Sequence, residues 1–212
     1  MRIAIFGATG IVGRAITKEA LAQGHQVTVL TRDARKVMGA GDNLTVIEGD
    51  VTDKDTVRKV LEGQDAVIQS LGIGGKGDGR PTFFVSETNR LIMEQMKQAG
   101  VRRLIAMSVI GAGESLSFLP WIYRKLMPVM MRWFTAIIDD KNRMEPMIEN
   151  SGLDWTIVRC TTVKDAPSAK HIVASTDGKG IKYSIAAPDM AQFIVSQLTS
   201  PDFMYKLPVI SN

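Results

Sequence analysis

A glycine-rich turn directly after the first apolar segment constrains the fold more than any other feature. Arg2–Phe6 is a short apolar run typical of a buried β-strand, and Gly7-Ala8-Thr9-Gly10-Ile11-Val12-Gly13 follows it at once. Val12–Gln23 then shows helical spacing and ends before Gly24. Glycines permit a tight turn and close backbone approach, and a helix N-terminus offers free N–H groups to a diphosphate. The alternative is a purely structural turn.

Strand-like and helix-like segments alternate along the chain. Continuous apolar runs predict strands buried on both faces, and Thr52-Asp53-Lys54-Asp55 resembles a capping box. The main predicted strands are Arg2–Phe6, Gln26–Leu30, Leu44–Glu48, Asp65–Leu71, Arg102–Ser108 and Trp155–Arg159, and the helices that follow include Val12–Gln23, Val85–Ala99, Asp140–Asn150 and Pro188–Thr199. This order predicts a single-domain α/β fold over residues 1–212, a Rossmann-like, doubly wound, mostly parallel sheet with helices on both faces.

Composition excludes several classes of protein. The chain has 212 residues, is 45% hydrophobic, and carries a net charge of +4 with both signs interleaved, which disfavours disorder and nucleic-acid binding. Its one cysteine, Cys160, cannot form an internal disulfide or a zinc-binding cysteine cluster, so we expect no metal and a cytoplasmic location. Three cations interrupt the longest apolar segment, Phe118–Ile138, so we expect no transmembrane helix.

The residues after the second and third strands bear on cofactor choice. Thr31-Arg32-Asp33 follows the second strand, and a guanidinium there suits a ribose 2′-phosphate through charge-assisted hydrogen bonds. We therefore expect NADP(H), with NAD(H) as the alternative because Asp33 could accept from a free 2′-hydroxyl. Gly49-Asp50-Val51 follows the third strand, where a carboxylate can accept from the adenine amino group, although Asp50 could equally cap a helix.

These segments resemble a known family. Ile3–Gly10 with Val27–Asp33 is similar to the atypical short-chain dehydrogenases, and Gly63–Ile68 with Asp139–Met144 is closer still to the NADPH-dependent flavin reductases, also called biliverdin-IXβ reductases. The resemblance implies a single-domain Rossmann protein that reduces flavins and some linear tetrapyrroles with NADPH. The flavin, FMN or another, would be a substrate rather than a tightly bound group.

The resemblance also implies roles for particular residues. The turn would hold the diphosphate, the basic residues the 2′-phosphate, and the ends of later strands the adenine and nicotinamide. In that order the cofactor-binding residues are Gly7, Thr9, Gly10, Ile11, Val12, Gly13, Arg32, Lys36, Asp50, Val51, Leu71, Gly72, Ser108 and Thr162, and Ser108 and Lys141 are the catalytic candidates.

This chain departs from the family pattern at three places. Lys141 stands where the mammalian member has histidine, and Cys160-Thr161-Thr162 stands where it has Pro-Pro-His. The region between Ser108 and Asp140 is also longer than in that member. All three places border the expected substrate pocket, so they put the identity of the acceptor in question: a flavin, a tetrapyrrole or a quinone.

The missing tyrosine motif bears on the chemistry. Short-chain dehydrogenases that reduce ketones usually carry Tyr-x-x-x-Lys, but none of Tyr123, Tyr183 and Tyr205 has a lysine four residues on. A flavin accepts hydride on its ring, so catalysis needs mainly proximity and orientation. Ser108 could orient the nicotinamide, donate a hydrogen bond or merely satisfy backbone groups, and Lys141 could bind ribose, stabilise an anion or be a solvated surface lysine.

Three functional hypotheses follow. The first is an NADPH-dependent reductase of a flavin or a similar flat acceptor, the second is a non-catalytic NAD(P)H-sensing regulator, and the third is a nucleotide-sugar epimerase or dehydratase, which commonly keeps the tyrosine motif. A Met- and Trp-rich insertion at about 113–138, with no acidic residue between Glu114 and Asp139, predicts a lid over the acceptor site, or alternatively a dimer interface or an extra core helix. We expect a monomer or a homodimer.

Overall fold

Ten strands and five α-helices of eight or more residues are found in the residues that the computed structural model describes, which are 1–37, 39, 41–73, 78–122, 124–125 and 132–212. The strands are β1 (Arg2–Phe6), β2 (Gln26–Thr31), β3 (Leu44–Glu48), β4 (Ala66–Gln69), β5 (Arg103–Val109), β6 (Asp154–Cys160), β7 (Thr162–Lys164), β8 (Val173–Ser175), β9 (Ser184–Ala186) and β10 (Val209–Ser211). The helices are α1 (Ile11–Ala22), α2 (Lys54–Leu61), α3 (Phe84–Ala99), α4 (Arg132–Glu149) and α5 (Ala187–Ser196).

The central sheet has the strand order β3-β2-β1-β4-β5-β6-β10-β8, and β7 pairs with β9 separately. All neighbours in the central sheet are parallel except β10 and β8. The chain winds outward from β1 in one direction to β3, and in the other direction from β4. This reversal creates a crevice at the carboxyl ends of β1 and β4, where ligands bind in sheets of this kind. The predicted fold class is confirmed.

Two hydrophobic cores cover the two faces of the sheet. Successive residues of β1 alternate between them, because side chains of a strand point to opposite faces. Ile3 and Ile5 pack in the core that α1 and α5 cover, whereas Ala4 and Phe6 pack in the core that α2, α3 and α4 cover. The sheet is therefore buried on both sides, as its continuous apolar strands predict.

Helix α4 differs from its predicted bounds. The sequence pattern predicts a helix from Asp140, but α4 begins at Arg132. Ala136 and Ile138 are buried in this additional part, whose charged residues, Arg132 and Asp139, stand at its two ends. The apolar stretch between them is stabilised by packing rather than by amphipathic spacing. Of the Met- and Trp-rich insertion, residues 123 and 126–131 lie outside the described residues, so the lid or interface stays a prediction.

The cap of α2 also differs from its predicted residue. The capping-box pattern places Thr52 at the N-cap, but Asp53 occupies it and accepts from the Thr56 N–H at 2.9 Å. Thr52 instead donates both its N–H and its hydroxyl to Asp50. The turn closes on Asp50, and the helix begins one residue later than predicted.

Within the described residues, no helix is long and apolar enough to span a membrane.

Candidate functional site

The glycine turn between β1 and α1 has no room for side chains at two of its positions. Gly7 has a φ of +91°, and a Cβ there would lie 2.8 Å from the Ser70 backbone. A Cβ at Gly13 would lie 2.1 Å from the Gly7 carbonyl oxygen. At Gly10 the same carbonyl is 3.7 Å away, an ordinary contact. The protein itself therefore requires glycine at Gly7 and Gly13, while the space at Gly10 stays open.

The N-terminus of α1 is open in a way that suits an anion. Gly10 is its N-cap and supplies no side chain, and the first turn, all of which the structure describes, contains no acidic residue. Ile11 is 60% exposed there. Unpaired N–H groups and the positive end of the helix dipole favour a phosphate at such a position. The residues present therefore fit the diphosphate of a dinucleotide.

The acidic residue after β2 is already paired. Asp33 accepts from the Arg35 guanidinium at 2.9 and 3.1 Å and lies 3.9 Å from Lys36 Nζ. The hydrogen bonds from Arg35 lower the pKa of Asp33 below its ordinary value. Arg32 is exposed, and no ion pair joins it to any residue in the described ranges. The guanidinium is therefore more available for a ligand than the carboxylate.

Asp50 lies close to this region. The Gly49 N–H donates to the Thr31 carbonyl at 2.8 Å, which brings the end of β3 beside the end of β2. One oxygen of Asp50 accepts from Thr52 N and Oγ1, both at 2.8 Å, and the hydrogen bond from the Thr52 N–H lowers its pKa. Its other oxygen, Oδ2, accepts none of these bonds. An adenine contact by Asp50 stays a prediction.

A cavity of about 240 Å³ opens beside the glycine turn at the carboxyl ends of β4, β5 and β6. Most of its wall is apolar, and its polar groups come from the strand ends and from α4. Its wall residues are Val12, Ser70, Leu71, Gly72, Ile73, Val85, Met107, Ser108, Val109, Ile137, Asp140, Lys141, Cys160 and Met190. The fold thus brings one side of α1 and the ends of three strands to one pocket.

Five of the predicted site residues line this cavity: Val12, Leu71, Gly72, Ser108 and Lys141. Thr162 does not, because it lies on β7, where its N–H donates to the Tyr183 carbonyl at 3.2 Å. The remaining predicted residues lie in the glycine turn or after β2 and β3. Their binding roles stay predictions.

Lys141 is a buried cation in the cavity wall. Its Nζ donates to the Met107 carbonyl at 2.6 Å, and only 4% of the residue is exposed. Burial lowers its pKa from 10.5 to about 8, against the opposing effects of Cys160, Asp140 and Glu145. Lys141 is therefore a protonated donor at neutral pH. Its burial removes most of the water that would surround the ammonium group of an exposed lysine.

The position four residues before Lys141 is Ile137. Both residues line the cavity from the same face of α4, because residues at this spacing are neighbours on a helix. A tyrosine at this place would complete a Tyr-x-x-x-Lys pair. The cavity has an apolar side chain there, so this helix supplies the lysine without the phenol.

A buried ionic network supports Ser108. Its hydroxyl donates to Glu145 Oε1 at 2.6 Å, and Arg159 contacts Glu145 through Nε at 3.0 Å and through Nη2 at 2.7 Å. Glu145 and Arg159 are only 3% and 1% exposed. Arg159 also contacts Glu114. Burial alone would lower the pKa of Arg159, but the hydrogen bonds to both glutamates hold it above its ordinary value.

None of the sequence patterns predicts this network. Arg159 is a charged residue directly after the apolar residues Ile157 and Val158 of strand β6, and this contrast is the signal that could have identified it. Glu145 lies one helical turn after Lys141, so it could have been placed on the same face of α4. Their mutual pairing depends on packing between α4 and β6 and has no local sequence signal.

Cys160 closes the cavity at the end of β6. Its thiol donates to the Ser108 carbonyl at 3.1 Å. Burial raises its pKa to about 11, which outweighs the opposing effect of Lys141. It is therefore a thiol rather than a thiolate at neutral pH. No group of three or more His, Cys, Asp or Glu side chains suited to a metal ion occurs among the described residues.

Comparison with known sequences gives two related findings. A family model described as NAD(P)H-binding matches residues 7–201. The photosystem II assembly factor Ycf39 of Synechocystis is 26% identical over 183 residues, which is 85% of this chain. The chain spans about half of that protein, 51% of its length.

Solved structures share the fold. A short-chain dehydrogenase/reductase of Veillonella parvula, solved in complex with NADP, matches this chain with a TM-score of 0.82 at 16% sequence identity. The match covers 100% of this chain and 94% of the V. parvula chain. The anaerobillin reductase ChuY of Escherichia coli O157:H7 has a TM-score of 0.78 at 19% identity, with 100% and 97% coverage. At these identities the likeness concerns the fold.

Proposed function

The chain belongs to the NAD(P)H-binding family, and from this we propose that it is an NADPH-dependent reductase that transfers hydride to a flavin or a similar flat conjugated acceptor. The coarser part of this description, an oxidoreductase-like NAD(P)H-binding fold, follows from the family and the sheet. The acceptor and the preference for NADPH are the proposal.

One observation carries the proposal: the cavity beside the glycine turn has Lys141 and Ile137 on one helix face. Ketone reduction needs a proton donor at the carbonyl oxygen, which the phenol of Tyr-x-x-x-Lys supplies. With isoleucine at that place, the cavity favours an acceptor that takes hydride without such a donor. Its mostly apolar wall suits a flat ring.

The residues would act by positioning. The reduced nicotinamide, when bound, supplies the hydride. The N-terminus of α1 would hold the diphosphate, and Leu71 and Gly72 would border the nicotinamide. The Lys141 ammonium would stabilise negative charge on the reduced acceptor. One hydride from NADPH and one proton from solvent convert an oxidised flavin to its dihydro form.

The preference for NADPH rests on the residues after β2. Asp33 is engaged by Arg35, so it is a poor acceptor for a ribose 2′-hydroxyl. Arg32 is exposed nearby and would pair with a 2′-phosphate, with Lys36 adding positive charge. The V. parvula neighbour with NADP supports this preference, and ChuY, named an anaerobillin reductase, supports a flat acceptor.

The test is an NADPH-oxidation assay with separate acceptors: FMN, riboflavin, a quinone and a linear tetrapyrrole. We expect turnover with at least one of them, and faster turnover with NADPH than with NADH. Lys141→Met in the same assay should lower kcat. If none of the four acceptors is reduced, the proposal is refuted.

A second candidate is a non-catalytic NAD(P)H sensor that regulates another protein. Two observations favour it: Ile137 in place of a phenol, and the similarity to a protein named an assembly factor. A sensor would bind NADP⁺ and NADPH and would turn over no acceptor. The same assay, run beside binding titrations of both cofactor forms, separates the two candidates.

A further inference from the structure

The hydrogens of the cavity's hydroxyl and thiol groups point into the protein. The Ser108 hydroxyl donates to Glu145 at 2.6 Å, and the Ser70 hydroxyl donates to the Phe6 carbonyl at 3.1 Å. The Cys160 thiol donates to the carbonyl of Ser108 itself. Each group lines the cavity, yet each of these hydrogens is used elsewhere.

The direction of the Ser108 hydrogen bond is fixed by Glu145. Arg159 contacts both oxygens of the Glu145 carboxyl group, and the pair is buried. A carboxylate paired with a guanidinium carries no proton, so it can only accept. A serine hydroxyl has one hydrogen. Once Glu145 takes it, Ser108 has only lone pairs left for a ligand.

Lys141, in contrast to Ser108, is a hydrogen-bond donor. Its ammonium has three N–H donors, and one of them donates to the Met107 carbonyl. A second is directed to the Met144 Sδ at 3.9 Å, and the third is available to the cavity. Ser108 and Lys141 therefore offer complementary groups, an acceptor at the end of β5 and a cationic donor on α4.

We propose that Ser108 is a hydrogen-bond acceptor for a ligand N–H group, and that Glu145 is a positioning residue that imposes this role. The ligand class is then a flat ring with an N–H donor toward Ser108 and a carbonyl or anionic edge toward Lys141. This inference rests on the proposed function and specifies which hydrogen-bonding groups the bound ring presents to the cavity. The N–H can come from two sources, the carboxamide of the nicotinamide or a ring N–H of the acceptor.

The experiment measures binding at equilibrium with two matched pairs of probes. The first pair is NADP⁺ and its 3-acetylpyridine analogue, in which a methyl group replaces the carboxamide NH₂. The second pair is riboflavin and N3-methylriboflavin, titrated into protein saturated with NADP⁺. We expect the full chain to bind the N–H member about tenfold more tightly in at least one pair, and that pair identifies the source.

Ser108→Ala should bring this ratio to about one, through weaker binding of the N–H member rather than tighter binding of the methylated one. Ser70→Ala is the matched control. It makes the same change in the same cavity, but Ser70 lies against Gly7 at the diphosphate end, so the ratio should be kept. If Ser108→Ala does not fold, Ser108→Cys takes its place, since a thiol is a poor acceptor.

Equal binding of both members of both pairs by the unmodified protein overturns the inference, and so does a ratio that persists in the Ser108 variant. These titrations involve no hydride transfer. A failure of turnover therefore counts against the proposed function, and a missing ratio counts against the Ser108 role.

Discussion

The carbonyl oxygen of Gly7 occupies the space that a side chain at Gly13 would need, since a Cβ there would lie 2.1 Å from it. Gly10, between them, has only a 3.7 Å contact with the same oxygen. Two glycines of the turn therefore serve the packing of α1 against β1, and the third leaves open space on the ligand side.

Gly13→Ala should destabilise the protein by about 1–3 kcal/mol, because overpacking against a backbone atom forces the helix to shift. Thermal unfolding followed by circular dichroism measures this. An unchanged Tm would contradict the close approach.

Gly10→Ala is the matched substitution with the opposite expectation. Its Cβ meets only an ordinary contact within the protein, so Tm should change little. The methyl group would stand where a diphosphate approaches the N-terminus of α1, so NADP⁺ should bind about tenfold more weakly or worse. Calorimetric titration of NADP⁺ checks this, and unaltered affinity would argue against a diphosphate at this turn.

Arg32→Ala should raise the KM for NADPH about tenfold and leave the KM for NADH nearly unchanged, because only NADPH carries the 2′-phosphate. Arg58→Ala is the control, since Arg58 lies on α2 and pairs with Asp55, so the KM values for both cofactors should stay nearly unchanged. Steady-state kinetics with both cofactors measures this. Equal effects of Arg32→Ala on both cofactors would refute the phosphate contact.

Reductase activity should fall as pH rises through about 8. Burial places the pKa of Lys141 at about 8, so the ammonium form is present below that pH and is lost above it. The pH profile of kcat should show this alkaline limb, and Lys141→Arg should remove it because a guanidinium stays charged. Lys97→Arg, on the exposed side of α3, is the control and should keep the limb. A flat profile in the unmodified protein would show that the charge is not needed.

Glu145→Ala should cost about 3–5 kcal/mol of stability, because it leaves a buried guanidinium without its inner partner. Glu114→Ala removes the outer partner, which is 63% exposed, and should cost about 1 kcal/mol or less. Urea unfolding of both variants compares them. Similar losses in the two would mean that Arg159 is held equally from both sides.

Much of the fold is predictable because its signals are local. The bounds of β1 and β3 match the predicted segments, and α3 begins one residue before its predicted start. Prediction is weaker where a segment's environment decides its structure. The apolar first part of α4 has no amphipathic pattern, and the cap of α2 depends on which acceptor Thr52 contacts.

By itself, the sequence determined the glycine turn and the alternation of strands and helices, because each depends on residues close together in the chain. The candidates Ser108 and Lys141 came from the resemblance to a known family. Only the tertiary structure decided what surrounds them. The Ser108–Glu145 hydrogen bond joins residues 37 positions apart, and Arg159 reaches Glu145 from a different element. Hydrogen-bond direction and burial depend on which side chains meet in space, and packing of α4 against β5 and β6 brings these together.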